Sequence, residues 1–374
     1  MDNNNTPKKR RYIFDILFLL VLVAATFWLI FSQSELDDIG RALKHTDFKW
    51  LIPAAGMVFV CIFCEGFNYM VVLGELGTRI TARRSMTYAA IDLYFCAITP
   101  SASGGQPAAT YYMAKDGVSV ANSSAAILFF TLQCKIINFL YLAVVLIFRP
   151  LFVTTQSLAF RIMLVAGICV SFLLMLFITI AMLKPVIVEK LVSVLCRLLS
   201  ALKLIKRSQK TAERFRHVGL DFKVAAKELC GKKRVFFKSL LFCFFQRTAL
   251  FSVVWFIYRA LGFSQLDFLT VISCQVLLSV AVDFIPLPGA IGATEMSFLH
   301  VFRGIFPQAA LLPAMLMTRM CNFYLCLIVC AVITLSNIIR LSVRQNHANT
   351  ALHEKSSAGD EIIDEKDNND DRLL

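Results

Sequence analysis

Histidine is nearly missing from this chain, with five in 374 residues, and two of those fall after residue 340. That scarcity argues against a histidine-rich metal site, and no His/Cys cluster with ligand spacing appears. No GxxxxGK[ST] loop and no HExxH pair is found. Gly104-Gly105 sits in no strand–helix unit, so it is no nucleotide fingerprint. Charge is scarce too: only 17% of residues are Asp, Glu, Lys or Arg, while 58% are hydrophobic. A soluble domain is nearer 45–50% apolar, so most of this chain is expected in lipid. Neither metal nor organic cofactor is called for by any motif.

The twelve cysteines do not offset this picture. Most lie inside apolar runs, for instance Cys61, Cys96, Cys134, Cys243 and Cys330. They read as small packing residues and not as a secreted disulfide framework.

Long apolar runs dominate what is present. A membrane helix needs about 20 apolar residues, and six stretches qualify: 12–32, 50–73, 120–148, 162–183, 235–259 and 310–339. The first is too long for a signal-peptide core and no small-residue cleavage site follows it. Two further runs are interrupted. Residues 85–115 break at Thr99-Pro100-Ser101-Ala102-Ser103-Gly104-Gly105-Gln106-Pro107. Residues 266–306 break at Pro286-Leu287-Pro288-Gly289-Ala290-Ile291-Gly292.

Charge sorts these runs. The net charge is +13, and the segment from Lys184 to Lys238 holds 15 Lys/Arg against 4 Asp/Glu, or +11. Beside membrane helices this reads as a cytoplasmic loop near anionic lipid, not as a nucleic-acid surface. Lys8–Arg11, the Arg79/Arg83/Arg84 connection, the 184–238 loop and the Arg340/Arg344 end all belong inside by the same rule. Parity then requires each broken segment to enter and leave on one side, the first from the cytoplasm and the second from outside. The expected organisation is a basic cytoplasmic N-terminus over 1–11, a membrane domain over 12–340, and an acidic, disordered cytoplasmic tail over 341–374. Within the domain, repeat one runs from about 50 to 183 and repeat two from about 235 to 340.

The halves share a second feature. Lys135-Ile136-Ile137-Asn138-Phe139 follows the first break, and Arg319-Met320-Cys321-Asn322-Phe323 follows the second. Matching breaks and matching basic-x-x-Asn motifs predict an all-α polytopic protein of about six spanning helices plus two re-entrant broken helices in an inverted repeat. Discontinuous helices in such repeats mark transporter sites near the midplane. The free N–H groups of a half-helix suit an anion.

The candidate anion-binding site therefore comprises Ser101, Ser103, Gly104, Gly105, Gln106, Lys135, Asn138, Gly289, Gly292, Thr294, Arg319 and Asn322, with Pro100, Pro107, Pro286 and Pro288 as helix breakers. Lys135 and Arg319 lead as phosphate ligands, because charge at membrane depth is costly and usually functional. Glu65, Asp92, Asp283 and Glu295 are intramembrane acidic partners. A purely structural role, ion pairs locking the broken segments, is the competing reading. Arg247 is also at membrane depth, while His300 and Arg303 lie toward the outer interface.

The stretch Ile98-Thr-Pro-Ser-Ala-Ser-Gly-Gly-Gln-Pro-Ala-Ala-Thr-Tyr-Tyr-Met-Ala-Lys-Asp-Gly117, taken with Phe284-Ile-Pro-Leu-Pro-Gly-Ala-Ile-Gly-Ala-Thr-Glu295, resembles the membrane domain of the lysylphosphatidylglycerol synthase/flippase family. The resemblance spans about residues 10 to 340. It implies translocation of an anionic or aminoacylated phospholipid, such as lysyl-phosphatidylglycerol, in a bacterial-type cell membrane, with resistance to cationic antimicrobial peptides as the outcome. It makes membrane phospholipid the expected partner of a multi-pass protein whose termini the charge rule already places in the cytoplasm, and it leaves open whether the chain assembles as a homo-oligomer. Full-length members add a soluble aminoacyltransferase domain, which this chain is expected to lack. No catalytic residue is identified. The alternative is a component of phosphatidylglycerol lysyltransferase-type metabolism, working with a separate aminoacyltransferase partner. One departure stands out: Gln106-Pro107-Ala108-Ala109 occupies the place where many relatives carry a basic residue after the glycine pair.

Overall fold

Side-chain caps start the helices. In the computed structural model, which describes residues 46–149, 156–184 and 209–341, five helices begin behind a capping oxygen. Asp47 accepts from the Lys49 amide at 3.1 Å and opens α1 (Phe48–Glu75). Thr81 caps α2 (Ala82–Ile98), which ends at the first break. A half-helix, α3 (Gly105–Lys115), follows that break, with Pro107 in its first turn, where a missing amide costs nothing. Ser119 caps α4 (Val120–Phe148) and Ser157 caps α5 (Leu158–Leu183). Each cap satisfies an amide that the helix start would leave unbonded.

The second half runs in a similar order. Helix α6 (Gln209–Gly231) precedes α7 (Lys233–Ala260). Asp267 caps α8 (Phe268–Val282), which ends at the second break, and the half-helix α9 (Ala293–Val301) follows. Helix α10 (Gln308–Arg319) continues through a π-helical stretch at Met320–Leu325 to Leu341.

Among the described residues, five helices are long and apolar enough to cross a membrane: α1, α4, α5, α7 and the helix from Gln308 to Leu341. They coincide with five of the six runs read from the sequence. The sixth, 12–32, lies outside the described residues, as do the basic N-terminus and the acidic tail. No strand occurs among the described residues. The protein is thus an all-helical, multi-pass membrane protein.

Part of the stretch expected as basic loop over 184–238 is helical. In α6, Phe222, Ala225, Ala226 and Leu229 repeat at helical spacing and are buried against α4 and α5. Lys232 then ties this corner to Glu75 and Glu228, at 2.7 Å each. The charges flanking that thin apolar stripe conceal it from a hydropathy count.

Small residues let the helices approach. A Cβ on Gly167 of α5 would lie 2.1 Å from the Val280 carbonyl oxygen of α8. One on Gly66 of α1 would lie 2.5 Å from Met86 Sδ of α2. Close packing of this kind drives association in lipid, where apolar burial supplies no force. Polar side chains add to it: Asn68 of α1 donates to the Ser239 carbonyl at 2.9 Å and accepts from its hydroxyl at 3.0 Å. Helix α5 otherwise shows lipid an apolar surface that includes Ile162, Leu173 and Phe177.

Candidate binding cavity between the two breaks

The two breaks build the same turn twice. Thr99 leaves α2 extended at φ −110°, ψ 148°, and Leu287 does so at φ −115°, ψ 143°. A proline follows each, Pro100 and Pro288, opening a single 3-10 turn. The next two residues have positive φ in both: Ser101 at 51° and Ala102 at 52°, Gly289 at 58° and Ala290 at 48°. The left-handed conformation costs a non-glycine residue about 1–2 kcal/mol. Ser101, Ala102 and Ala290 are the described non-glycine residues that adopt it, and the two turns touch each other. Backbone strain concentrated at one contact suits a functional site.

Each turn is held by a different chemistry. At the first, the Gly104 amide donates to the Thr99 hydroxyl oxygen at 2.9 Å, and the Ser103 hydroxyl donates to the Pro100 carbonyl at 2.8 Å. Gly105 packs against α2 so closely that a Cβ there would lie 2.3 Å from both Asp92 Oδ1 and Cys96 Sγ. At the second, charge does the holding. Arg319 Nε donates to Glu295 Oε1 at 2.6 Å, and Arg319 Nη2 donates to the Gly289 carbonyl at 3.1 Å. Its guanidinium also lies 4.7 Å from the Phe323 ring centroid. The other Glu295 oxygen accepts from the Gly292 amide at 2.6 Å. The N-terminus of α9 is therefore filled by its own carboxylate.

Between the turns lies a cavity of about 290 Å³. Of the residues singled out in the sequence, Ser101, Asp283, Gly289, Thr294, Arg319 and Asn322 line it. Thr294 donates its hydroxyl to the Ala290 carbonyl at 3.0 Å, and Asn322 donates to the Leu250 carbonyl at 3.4 Å. Polar residues outside the candidate site also line the cavity: Arg247 of α7, Gln275 and Ser279 of α8, and Thr318 of α10.

The remaining candidates sit elsewhere. Lys135 forms an ion pair with Asp283, whose carboxylate also accepts from the Ser171 hydroxyl at 2.6 Å. This pair joins α4 of the first half to the end of α8 in the second. Asn138 has a buried side-chain oxygen with no hydrogen-bond partner among the described residues, away from the cavity. Gln106 donates to the Thr131 hydroxyl at 3.0 Å. Gly292 adopts φ 82° at the start of α9, and Pro286 lies in the irregular link between α8 and the second turn. Glu65 and Asp92 form a buried network of their own. Tyr69 lies with its hydroxyl 2.9 Å from Asp92 and 3.3 Å from Glu65, and the Gln246 amide donates to Glu65 at 2.8 Å.

Both leading basic residues thus have carboxylate partners. Arg247 has none within ion-pair distance among the described residues, and its buried Nε lacks a hydrogen-bond partner. The sequence signal for Arg247 is a guanidinium midway along an apolar helix. It lacks the Asn echo that drew attention to Lys135 and Arg319. Among the described residues no group of three His, Cys, Asp or Glu side chains is placed to hold a metal.

A family model described as the lysylphosphatidylglycerol synthase TM region matches residues 16–330. No curated protein matches the chain.

Proposed function

The chain belongs to the family of the lysylphosphatidylglycerol synthase TM region, and from that premise we propose that it moves an anionic or aminoacylated phospholipid between membrane leaflets. The family relation makes this a membrane-lipid protein. The translocation reading is supported chiefly by one observation: a cavity lined by two touching, conformationally matched turns inside apolar helices, with the guanidinium groups of Arg247 and Arg319 in its wall. A headgroup would enter that cavity while its acyl chains stay in lipid.

The re-entrant inverted repeat belongs to the same proposal. Helices α2, α3, α8 and α9 have 17, 11, 15 and 9 residues. At 1.5 Å per residue the longest reaches about 26 Å, short of a hydrocarbon core of about 30 Å. Arms of this length fit segments that turn back. Paired with the charge distribution, they support entry from opposite faces with both termini cytoplasmic. Irregular backbone at membrane depth is tolerated where it lines a cavity or is buried in protein, and in this reading the two turns do so. Moving aminoacyl lipid outward lowers surface negative charge, which would give the resistance to cationic peptides.

The test is reconstitution into vesicles containing headgroup-labelled phosphatidylglycerol or lysyl-phosphatidylglycerol. Protein should make inner-leaflet label accessible to an outside quencher faster than in empty vesicles. No acceleration for any anionic or aminoacyl phospholipid would overturn the reading.

A further inference from the structure

Two buried acids outside the cavity, Glu65 of α1 and Asp92 of α2, carry an inference about what drives movement, one that rests on the translocation reading. They are 1% and 7% exposed, and their carboxyl groups lie within hydrogen-bond reach of each other. Among the described residues, no Lys, Arg or His comes within ion-pair distance of either. The other titratable groups facing them are one phenol and several thiols. They are Tyr69 and Cys61 of α1, Cys96 of α2, Cys134 of α4, Cys243 of α7 and Cys330 of the helix that continues α10. None of these supplies a positive charge. Arg247 of α7 lies beside Cys134 and Asp283 instead.

Charge and hydrogen count ask for the same missing particle. Burying an ionised carboxylate without a partner is costly, and two carboxylates together in a dry site do not both stay ionised. The Gln246 amide supplies one hydrogen to Glu65 Oε2 at 2.8 Å. The Tyr69 hydroxyl has a single hydrogen and two carboxyl neighbours, Asp92 Oδ2 at 2.9 Å and Glu65 Oε1 at 3.3 Å. When that hydrogen goes to the nearer oxygen, the contact with Glu65 joins two oxygens with nothing between them. One proton on Glu65 Oε1 completes the chain: Glu65 donates to Tyr69, and Tyr69 donates to Asp92.

We propose that Glu65 and Asp92 form a proton-binding site, holding one proton between them, and that exchange of this proton with the cavity couples lipid movement to a proton gradient. Cys96 touches both places: it lines the cavity, and its thiol lies 3.7 Å from Asp92 Oδ1. Gly105, in the first turn of α3, packs directly on the same carboxyl. Release transfers the proton from Glu65 Oε1 to a water molecule in the cavity, which leaves as hydronium, and takes the pair from one negative charge to two. The doubly charged pair needs water, and the close Gly105 contact must widen to admit it. That displaces the first break, which forms one wall of the cavity. Uptake of a proton from water reverses each change.

Two measurements test this. In infrared spectra of the purified protein at neutral pH, wild type should show the carbonyl stretch of a protonated carboxylic acid, shifted in heavy water, and Glu65→Gln should lose it. Vesicles holding the protein and labelled phosphatidylglycerol or lysyl-phosphatidylglycerol are then placed under a pH gradient, with potassium and valinomycin clamping the potential. Across about one pH unit, one proton per lipid is worth up to about tenfold. Wild type should enrich one of the two lipids in one leaflet toward that limit, relative to empty vesicles. Reversing the gradient should reverse the enrichment, a protonophore should abolish it, and Glu65→Gln should leave the label evenly spread. Absence of the acid band in wild type, or a band that Glu65→Gln keeps unchanged, overturns the proposal. So does an even distribution of both lipids in wild type where exchange occurs. The wild-type readings decide the matter even where a variant fails to fold. The band without leaflet exchange would fail the translocation reading and leave the proton site standing. Exchange without the band would do the reverse.

Discussion

Removing the Glu295 carboxylate should unfasten the second break, and the structure sets the size of the effect. Glu295 and Arg319 leave only 4% and 11% of their side chains exposed. A surface ion pair is worth about 0–1 kcal/mol. Deleting one member of a buried pair costs about 3–5 kcal/mol, because the other charge is left stranded. The low exposures put Glu295→Ala in the second class. It also frees the Gly292 amide, adding about 1 kcal/mol. Arg319→Met alone should cost less, since Glu295 keeps its bond to Gly292. The double variant Glu295→Ala/Arg319→Met strands no charge, so its cost should fall below the sum of the singles by about 2–3 kcal/mol. Glu295→Gln separates charge from capping, because its amide oxygen still accepts from Gly292. The assay is denaturant unfolding in detergent, followed by tryptophan fluorescence, on all four variants. A loss under about 1 kcal/mol for Glu295→Ala, or strictly additive singles, would refute the claim that this pair is dry and fastens the turn.

Two further outcomes follow from local geometry. Gly105→Ala should destabilise strongly and displace α3, because its Cβ would meet the Asp92 side chain at 2.3 Å and the Asp92 carbonyl at 2.5 Å; Gly304→Ala, with open space around it, should be tolerated in the same thermal-melt comparison. At Asp267, the Thr270 hydroxyl bond holds the carboxyl below its ordinary value. A depressed folded pKa gives stability that is present above the unfolded value of about 3.9 and is lost as pH falls through the folded one. Asp267 is mostly exposed, so the effect is small. Asp267→Asn should melt slightly below wild type at neutral pH and converge with it in acid, and parallel melting curves across that range would contradict this.

Much of the architecture was legible because lipid imposes simple demands. A spanning helix must be long and apolar, and the runs at 50–73, 120–148, 162–183, 235–259 and 310–339 each became one long helix. The breaks were legible because proline and glycine punctuate helices whatever surrounds them. Helix α6 was harder to see, since four buried residues spaced along a charged stretch barely move a hydropathy average. The π-helical stretch at Met320–Leu325, which holds Asn322 beside the cavity, has no signal in residue type at all.

The lining of the candidate cavity was legible only in part, and the reason lies in how charge is read. A sequence shows which charges sit at membrane depth but not what neutralises them. Lys135 and Arg319 drew attention through their shared Asn at i+3, yet Asp283 lies 148 residues from Lys135 and Glu295 lies 24 from Arg319. Those partners become visible only once the helices pack. Packing gives both residues carboxylate partners, and it brings Arg247, which the echo had left in the background, beside Cys134 and Asp283 in the same cavity wall. The same holds for neutral groups. Thr294, Ser171 and Gln106 are each satisfied by a nearby oxygen, whereas Gln275 is not. In a membrane interior, where water is scarce as a substitute partner, a polar side chain can be read only together with what packs against it.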